Sequence, residues 1–587
     1  MKGSVKLPVF IDDARKYVNT TQLRAKYLGA SYEAEYCQWQ TLHGLGSLME
    51  TASLIITPNA YLEGKLIASY PPDPIGDFDV TRATTATRVN SAGLVELVSY
   101  NLFNYSQKFD NAYWIKSSST VTADNTTAPD GTTTADKMTI TAGFGAVYAS
   151  SIPLEGTHTI SCFFKKGDAS SVYIDTNGTS GNIFGSLNLD TLATSSVGGA
   201  IVNVENAGNG WYRLSITASF TGTTSYIAFG ILSASSNLFT YLWGAQLVEG
   251  STAKDYQKTE TRLNIPRLDY SNGTCPSLLV EPQRTNLLTY SSSFDNAAWT
   301  KSGVTATAND AIAPDGTLTA DKLVFSGSGK FIYQQSATSG QCAHSIYIKG
   351  TAGQTISLDN TWALDPANVF TLNGEWQRFD FTSTTSGGQG QGLAISTFQS
   401  ATATTIWVWG AQLELGSYSS SFIPTTSASV TRNADVISKT GISSLIGQTE
   451  GTLFVDAYIT GKDSSNGSIL FATDKVSSGA LIRIIYTPTN ALRFDVFDGS
   501  SFQCLISAGA YNVGDRVKVA GGYKNNDFVM YVNGTQIGID TSGSVPATDT
   551  ANINTSIYGD TNGSFVNAAA LWTTRLTNTQ LAQLTTI

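Results

Sequence analysis

The sequence predicts a mainly all-β protein, built of tandem β-sandwich or jelly-roll modules behind a small mixed or helical N-terminal segment. Three observations predict it. Residues 101–137 (NLFNYSQKFDNAYWIKSSSTVTADNTTAPDGTTTADK) return as residues 286–322 (NLLTYSSSFDNAAWTKSGVTATANDAIAPDGTLTADK), in register and without a gap. Charged residues make up only 14% of the 587 and aromatics reach 11%. Ordinary soluble proteins are about one-quarter charged, and this balance suits pleated, half-buried surfaces instead. Finally, turn residues punctuate short alternating runs about every 8–12 positions, the spacing of sandwiches and barrels.

The duplication extends beyond its best-matched stretch. Gly210-Trp211-Tyr212-Arg213 returns as Gly374-Glu375-Trp376-Gln377-Arg378, with one residue added, and Trp243-Gly244-Ala245-Gln246-Leu247 returns as Trp409-Gly410-Ala411-Gln412-Leu413. Each copy therefore spans roughly 150 residues, the size of a domain and far beyond a solenoid repeat. Two similar β modules on one acidic chain suggest display and binding rather than a single catalytic centre.

Taken in order, residues 1–64 mix acidic, basic and helix-forming residues most densely, and Asp12 and Asp13 stand where a helix would start. They are expected to form short helices or an extended arm for attachment or oligomerisation. Residues 65–100 open with Pro71, Pro72 and Pro74, which bar helix and central strand and mark a linker. They continue as GDFDVTRATTATRVNSAGLVE, a hairpin or two short strands interrupted at Asn90 and Gly93. Residues 101–258 are the first jelly roll, 259–285 a turn-rich connector carrying Pro266, Gly273, Pro276 and Pro282, and 286–434 the second jelly roll.

Within the copies, 159–164, 212–216 and 406–413 read as strands. Trp407 and Trp409 fall on one strand face, as do Tyr241 and Trp243, and both pairs are expected in the core rather than on a ligand platform. Residues 435–587 form the last domain. There Leu492, Phe494 and Val496 alternate, and Phe528, Met530 and Val532 lead into Asn533-Gly534, the preferred type I′ hairpin turn. Thr577 and Asn578 stand as caps of a short closing helix through Gln580, Leu581 and Leu584.

Composition excludes several functions. A net charge of −10 with no basic run argues against nucleic acid, whose affinity rests on clustered Lys and Arg. No window of about 20 apolar residues exists, so no membrane insertion is expected, and the N-terminus lacks the apolar stretch of a secretory signal. The five cysteines, Cys37, Cys162, Cys275, Cys342 and Cys504, are scattered without C-x-x-C spacing. They read as buried hydrophobes, neither a disulfide framework nor a zinc site.

These stretches carry a resemblance. GDFDVTRATTATRVNSAGLVE and NIPRLDYSNGTCPSLLVEPQRTNL resemble a frame common in tailed-bacteriophage fibre and other virion-surface proteins. The repeats, with NLLTYSSSFDNAAWTKSG, APDGTLTADK and WGAQLELGSYSSSFIPTTSASVTRNADV, look like the carbohydrate-binding-module-like jelly rolls of those proteins. GTLFVDAYI, RVKVAGGYKNNDFVMYVNGTQI and ALWTTRLTNTQLAQL are similar to concanavalin A-like, laminin-G-type lectin domains. The resemblance covers roughly residues 65–587. It implies a structural virion protein, a head or tail fibre or decoration, assembled in the host cytoplasm and displayed on the particle surface. Its expected partners are other virion proteins, bound through residues 1–64, and cell-surface or mucosal glycans, and its expected assembly is a homotrimer. A pure spacer without sugar binding is one alternative.

A fibre-borne polysaccharide depolymerase is the enzymatic alternative. His43, His158 and His344 lie in different modules with no G-x-S-x-G elbow, which argues against a hydrolytic triad. A retaining glycosidase needs two carboxylates about 5–5.5 Å apart. Asp495 and Asp498 are three apart, hence on opposite strand faces, and Asp456 stands alone, so no catalytic residue is assigned and the chain is expected not to be an enzyme. The acidic positions common to both copies are Asp110/Asp295, Asp130/Asp315 and Asp136/Asp321. Carbohydrate-binding jelly rolls often hold a structural calcium, and Asp110 and Asp295 stand where such modules usually carry Glu after Phe, which makes them the metal candidates. Pro-Asp-Gly at Asp130 and Asp315 reads equally as a type I turn. Trp114 and Trp299 recur in both copies and read as structural. Trp362 has no counterpart in the first copy and is the candidate for stacking on a sugar.

Overall fold

In the computed structural model, residues 9–28, 30–360, 368–385, 390–461, 467–553 and 563–587 are described. About half of the chain is strand and less than a tenth helix, the mainly all-β sandwich architecture that the composition predicts. Strands dominate because the alternating runs put one residue in two inward: Leu492, Phe494 and Val496 are fully buried, as are Phe528 and Met530. Each such side chain contributes about 1.5–3 kcal/mol on burial. Asn533 and Gly534 take positive φ of 49° and 81°, the pairing a type I′ turn demands, and Val532 faces Thr535 across the hairpin. At the far end Thr577 and Gln580 form a reciprocal capping box that starts a helix, Asn578–Thr585.

Two compact units divide the chain. One contains the first copy, residues 99–263. A single ten-stranded sheet folds over itself there, because Ala146–Lys166 and Trp211–Ile231 pair along their whole lengths and pass from one layer to the other. Ser151, Gly156 and Gly222 adopt positive φ along these strands, where the corner is turned. The core between the layers is aromatic and aliphatic, with Phe103, Phe109, Trp114 and Phe229 at its centre.

The other unit holds the second copy and the C-terminal sandwich. In the second copy the equivalent core lies between two five-stranded sheets. The C-terminal sandwich differs from the division expected along the sequence. Its ten-stranded sheet includes Ala60–Leu62, Lys65–Leu66 and Phe78–Thr81, and its eight-stranded sheet includes Leu54–Ile56, Arg267–Asp269 and Ser277–Val280. The expected linker and connector thus contribute paired strands, and the expected N-terminal arm is folded into the sandwich.

That arm is held by burial. Helix α1, Val9–Leu28, turns Ala14, Val18 and Ala25 inward, and α2, Glu35–Leu45, turns in Leu42 and Leu45. Ala14, Val18, Leu42 and Leu45 cover the outer face of the eight-stranded sheet, against Phe454, Val529, Ala570 and Trp572. Trp572 Nε1 donates to the Leu48 carbonyl at 2.9 Å, closing the layer.

Two further expectations need correction or detail. Cys37 and Cys275 form a disulfide across 238 residues of chain, whereas Cys162, Cys342 and Cys504 are free and buried. No local spacing signals such a pair, because the fold alone brings α2 to the connector. The motifs of the frame also converge in space. Arg82 meets Asp435 at 2.6 Å, Arg267 pairs with Asp435 and with Glu281 (2.7 Å), and Arg432 meets Glu281 at 2.7 Å. All five side chains are buried. Glu414 is linked to this network through Ser420: it accepts from Ser420 N at 2.9 Å, while Arg432 donates to Ser420 Oγ at 3.2 Å. The arginines hold the Glu281 and Asp435 carboxyls below the usual carboxylate range despite burial.

Candidate functional site

The shared acidic positions of the jelly rolls are used by the fold. Asp110 and Asp295 are exposed, and the backbone carbonyl of each accepts from a lysine. Lys116 Nζ donates to the carbonyls of Asp110 and Asn111 at 2.8 and 2.6 Å, and Lys301 Nζ to those of Asp295, Asn296 and Trp299 at 3.0–3.1 Å. An ammonium group thus occupies the carbonyl cradle that a calcium would need, and no cluster of three or more His, Cys, Asp or Glu side chains suited to a metal occurs among the described residues.

Asp130 and Asp315 close turns through Thr132 and Thr317, as Pro-Asp-Gly suggests. Asp136 is buried and accepts from the backbone N–H groups of Phe109 and Asp124, and Asp321 does the same from Phe294, Asp295 and Asn309. Burial pushes Asp136 up from 3.8 to about 7 and raises Asp321 as well, against the pull of those donors.

The aromatic expectations sort similarly. Trp114 and Trp299 are core residues whose indoles donate to Tyr105 and Tyr290 carbonyls at 2.9 and 3.0 Å. Trp243 and Trp409 are buried, while Trp407 is half-buried and donates to Asp310. His344 is buried, stacked on Phe381 and bonded to Ser383 at 2.8 Å, and desolvation lowers its pKa to about 3. Trp362, the residue expected to stack on a sugar, lies outside the described residues.

Asp456 is held by an arginine and an amide rather than paired with a second carboxylate. It lies on Glu450–Ile459, two residues before Tyr458, so both point to the outer face of the eight-stranded sheet while Val455 and Ala457 enter the core. The neighbouring strand Arg516–Lys524 places Lys518 opposite Asp456 and Arg516 opposite Tyr458. Arg516 grips Asp456 with two donors, Nε at 3.0 Å and Nη2 at 2.7 Å, and packs over the Tyr458 ring at 5.9 Å. Asn567 Nδ2 donates to the same carboxylate at 2.9 Å, and Ser277 Oγ donates to Asn567 Oδ1 at 2.6 Å. Lys518 donates to the Thr586 carbonyl at 2.9 Å, and burial lowers its pKa.

These groups line a cleft of about 670 Å³, the size of a small-ligand site. Its opposite wall is α2, with Trp39 stacked on His43 at 5.0 Å, and its rim includes the Cys37–Cys275 disulfide and the exposed turn at Asn272. Asp456 is the one carboxylate among the lining residues. With its oxygens taken by Arg516 and Asn567, Asp456 anchors a fixed, mutually bonded polar cluster beside the Tyr458 ring. The alternation in FVDAYI and RVKVAGG carries the signal for the outward Asp456, Tyr458, Arg516 and Lys518; nothing local points to Trp39.

Asp495, the other carboxylate considered for catalysis, is buried between Arg483 and Arg493, and Asp498 caps a turn through the N–H groups of Ser500 and Ser501. They form no facing pair.

No family model matches the chain, and no curated protein matches it. Solved structures similar to part of it include the carbohydrate-binding module CBM40 of a Ruminococcus gnavus IT-sialidase bound to α2,3-sialyllactose. That match has 12% identity and a TM-score of 0.22, covering 25% of this chain and 91% of that one. A second is carbohydrate-binding module CBM66 from Bacillus subtilis, at 13% identity and TM-score 0.17, covering 24% and 81%. A third is a galectin from Caenorhabditis elegans, at 11% identity and TM-score 0.17, covering 22% and 85%. Likenesses of this strength carry no inference about what the chain binds.

Proposed function

We propose that this chain is a structural protein of a phage particle that displays a saccharide-binding cleft on its C-terminal sandwich. The observation that carries the binding part is the Asp456–Arg516–Asn567 cluster between the half-exposed rings of Tyr458 and Trp39. Fixed, mutually bonded polar groups beside aromatic faces suit a ligand that presents hydroxyls on one side and C–H surface on the other. A single carboxylate, already gripped by an arginine, favours binding over glycosidic hydrolysis.

The virion role rests on the resemblance of the frame and the repeats. Display on a head or tail fibre, attachment to other virion proteins through residues 1–64 and a homotrimeric assembly belong to the same proposal. Trimerisation would multiply a weak contact through effective concentration.

The test is a glycan array probed with the full-length protein, followed by calorimetry on the best ligand. Asp456→Asn is expected to weaken binding roughly tenfold, about 1.4 kcal/mol. A flat array would leave a spacer, and release of reducing ends from a bound polysaccharide would replace binding with depolymerisation. Electron microscopy of virions labelled with an antibody against residues 435–587 tests the particle role, and unlabelled particles would refute it.

A further inference from the structure

A second cleft, of about 490 Å³, lies in the same compact unit, where the second jelly roll meets the C-terminal sandwich. Tyr347 and Tyr418 supply half-exposed rings and the exposed Asp380 and Asn272 supply polar groups, whereas the Ser419 and Thr460 hydroxyls donate to the His344 and Gly563 carbonyls. Its charged residues are largely engaged elsewhere. Glu281 belongs to the buried arginine network, Asp269 accepts from the N–H groups of Val89 and Ser271, and Arg378 donates to Ser345 and to the Ser420 carbonyl. What remains is aromatic ring surface beside the exposed Asp380 and Asn272.

The two clefts are not separate. Tyr458 and Asn272 line both. Tyr458 sits near the end of Glu450–Ile459, with Asp456 on the side of the first cleft and Ile459, Thr460 and Gly461 on the side of the second. Its ring, braced by Arg516, is therefore a shared wall between adjoining spaces. Each space alone is the size of one small-ligand site, and the two in succession exceed what a single sugar fills.

Resting on the saccharide-binding reading, we infer that the two clefts are consecutive subsites of one groove that takes an internal stretch of an extended saccharide chain, crossing at Tyr458, rather than a terminal sugar. Binding energy then accumulates along the chain, and the residues of the second cleft contribute only when the ligand is long enough to reach them.

The experiment uses the full-length protein and an array printed with size ladders, monosaccharide to octasaccharide, of neutral, N-acetylated and uronate-containing oligosaccharides. Affinity is expected to rise with length and then level off. Tyr458→Ala is expected to weaken the longest fragments roughly tenfold, about 1.4 kcal/mol. Asp380→Ala, at an exposed position, is expected to weaken long fragments and leave short ones unchanged, while Lys518→Ala affects both. Melting curves establish that each variant is folded. Equal affinity for short and long members of a bound series, or an Asp380→Ala effect independent of length, overturns the groove and leaves the saccharide reading standing. Silence across every ladder overturns both.

Discussion

The two copies of the jelly roll share several structural devices at matching positions, and at one buried position an apolar side chain in the first is replaced by a carboxylate in the second. In both, an asparagine ties its segment to the WGAQL strand: Asn101 donates to the Ala245 and Gln257 carbonyls, and Asn286 to those of Ala411 and Ile423. In both, the glycine of that motif takes φ near 65° opposite a register shift, where a Cβ would press on Phe163 and Tyr256 or on Tyr347 and Phe422. In both, an arginine lies over an aromatic ring and donates to a serine: Arg213 over Phe163 to Ser161, Arg378 over Tyr347 to Ser345. Two residues past the glutamine of WGAQL the copies part. The first has the buried apolar Val248, and the second has the buried Glu414, linked through Ser420 to Arg432 and so to the ion network of the sandwich. The second copy is thereby linked to the buried arginine network at a position where the first carries only an apolar side chain.

The largest effect expected from breaking this comparison comes from the network. Asp435→Ala leaves Arg82 and Arg267 buried without their shared carboxylate, and a loss of about 3–5 kcal/mol is expected. Calorimetry should show it in the transition of the unit holding the second copy, with the first copy's transition unmoved; an equal shift in both would contradict independent units. Reduction of Cys37–Cys275 should act on the same unit, by about 2–4 kcal/mol, and urea melts with and without a reductant read it directly. Glu414→Val, which gives the second copy the first copy's residue, strands the Ser420 and Gln412 donors and should cost about 1–3 kcal/mol. A neutral result there would mean that the charge adds no stability.

The smallest and most diffuse contrast is with pH. The folded-state pKa of Asp136 is raised to about 7, so the folded first copy holds a proton that the unfolded chain has released. Its contribution is fully present below about pH 4 and is lost as pH rises through about 7. The depressed Glu281 and Asp435 act oppositely: their contribution is present above the ordinary carboxylate range and is lost as pH falls through their lowered values. Asp321, also raised, opposes them within the unit that holds the second copy, so Asp321→Asn should sharpen the difference between the two transitions in a pH series.

Much of the fold was legible because it rests on local pattern. Alternation announced the strands around Leu492 and Phe528, Asn533-Gly534 announced its hairpin, Thr577 announced its capping box, and the hairpin broken at Asn90 and Gly93 forms with Thr87–Val89 paired to Val95–Leu97. The candidate site was legible only in part. Outward Asp456 and Tyr458 follow from strand period, but their partners lie on Arg516–Lys524, Ser564–Trp572 and α2, and no spacing connects those segments. The lysines that bond the Asp110 and Asp295 carbonyls were likewise not legible, because their reach depends on how the intervening turn folds.

By itself, then, the sequence determined the β class, the duplication, the turns and the inward face of each strand, since these depend on a residue and its near neighbours. Tertiary structure alone decided that strands between residues 54 and 81 and between 267 and 280 complete the sheets of the C-terminal sandwich, that Cys37 meets Cys275, that the arginines of the frame pair with Glu281 and Asp435, and that Trp39 and Asp456 line one cleft. Burial pattern says that a face is covered; which distant segment covers it follows from the packing of the whole unit, where ion pairs, disulfides and clefts are made by residues hundreds of positions apart.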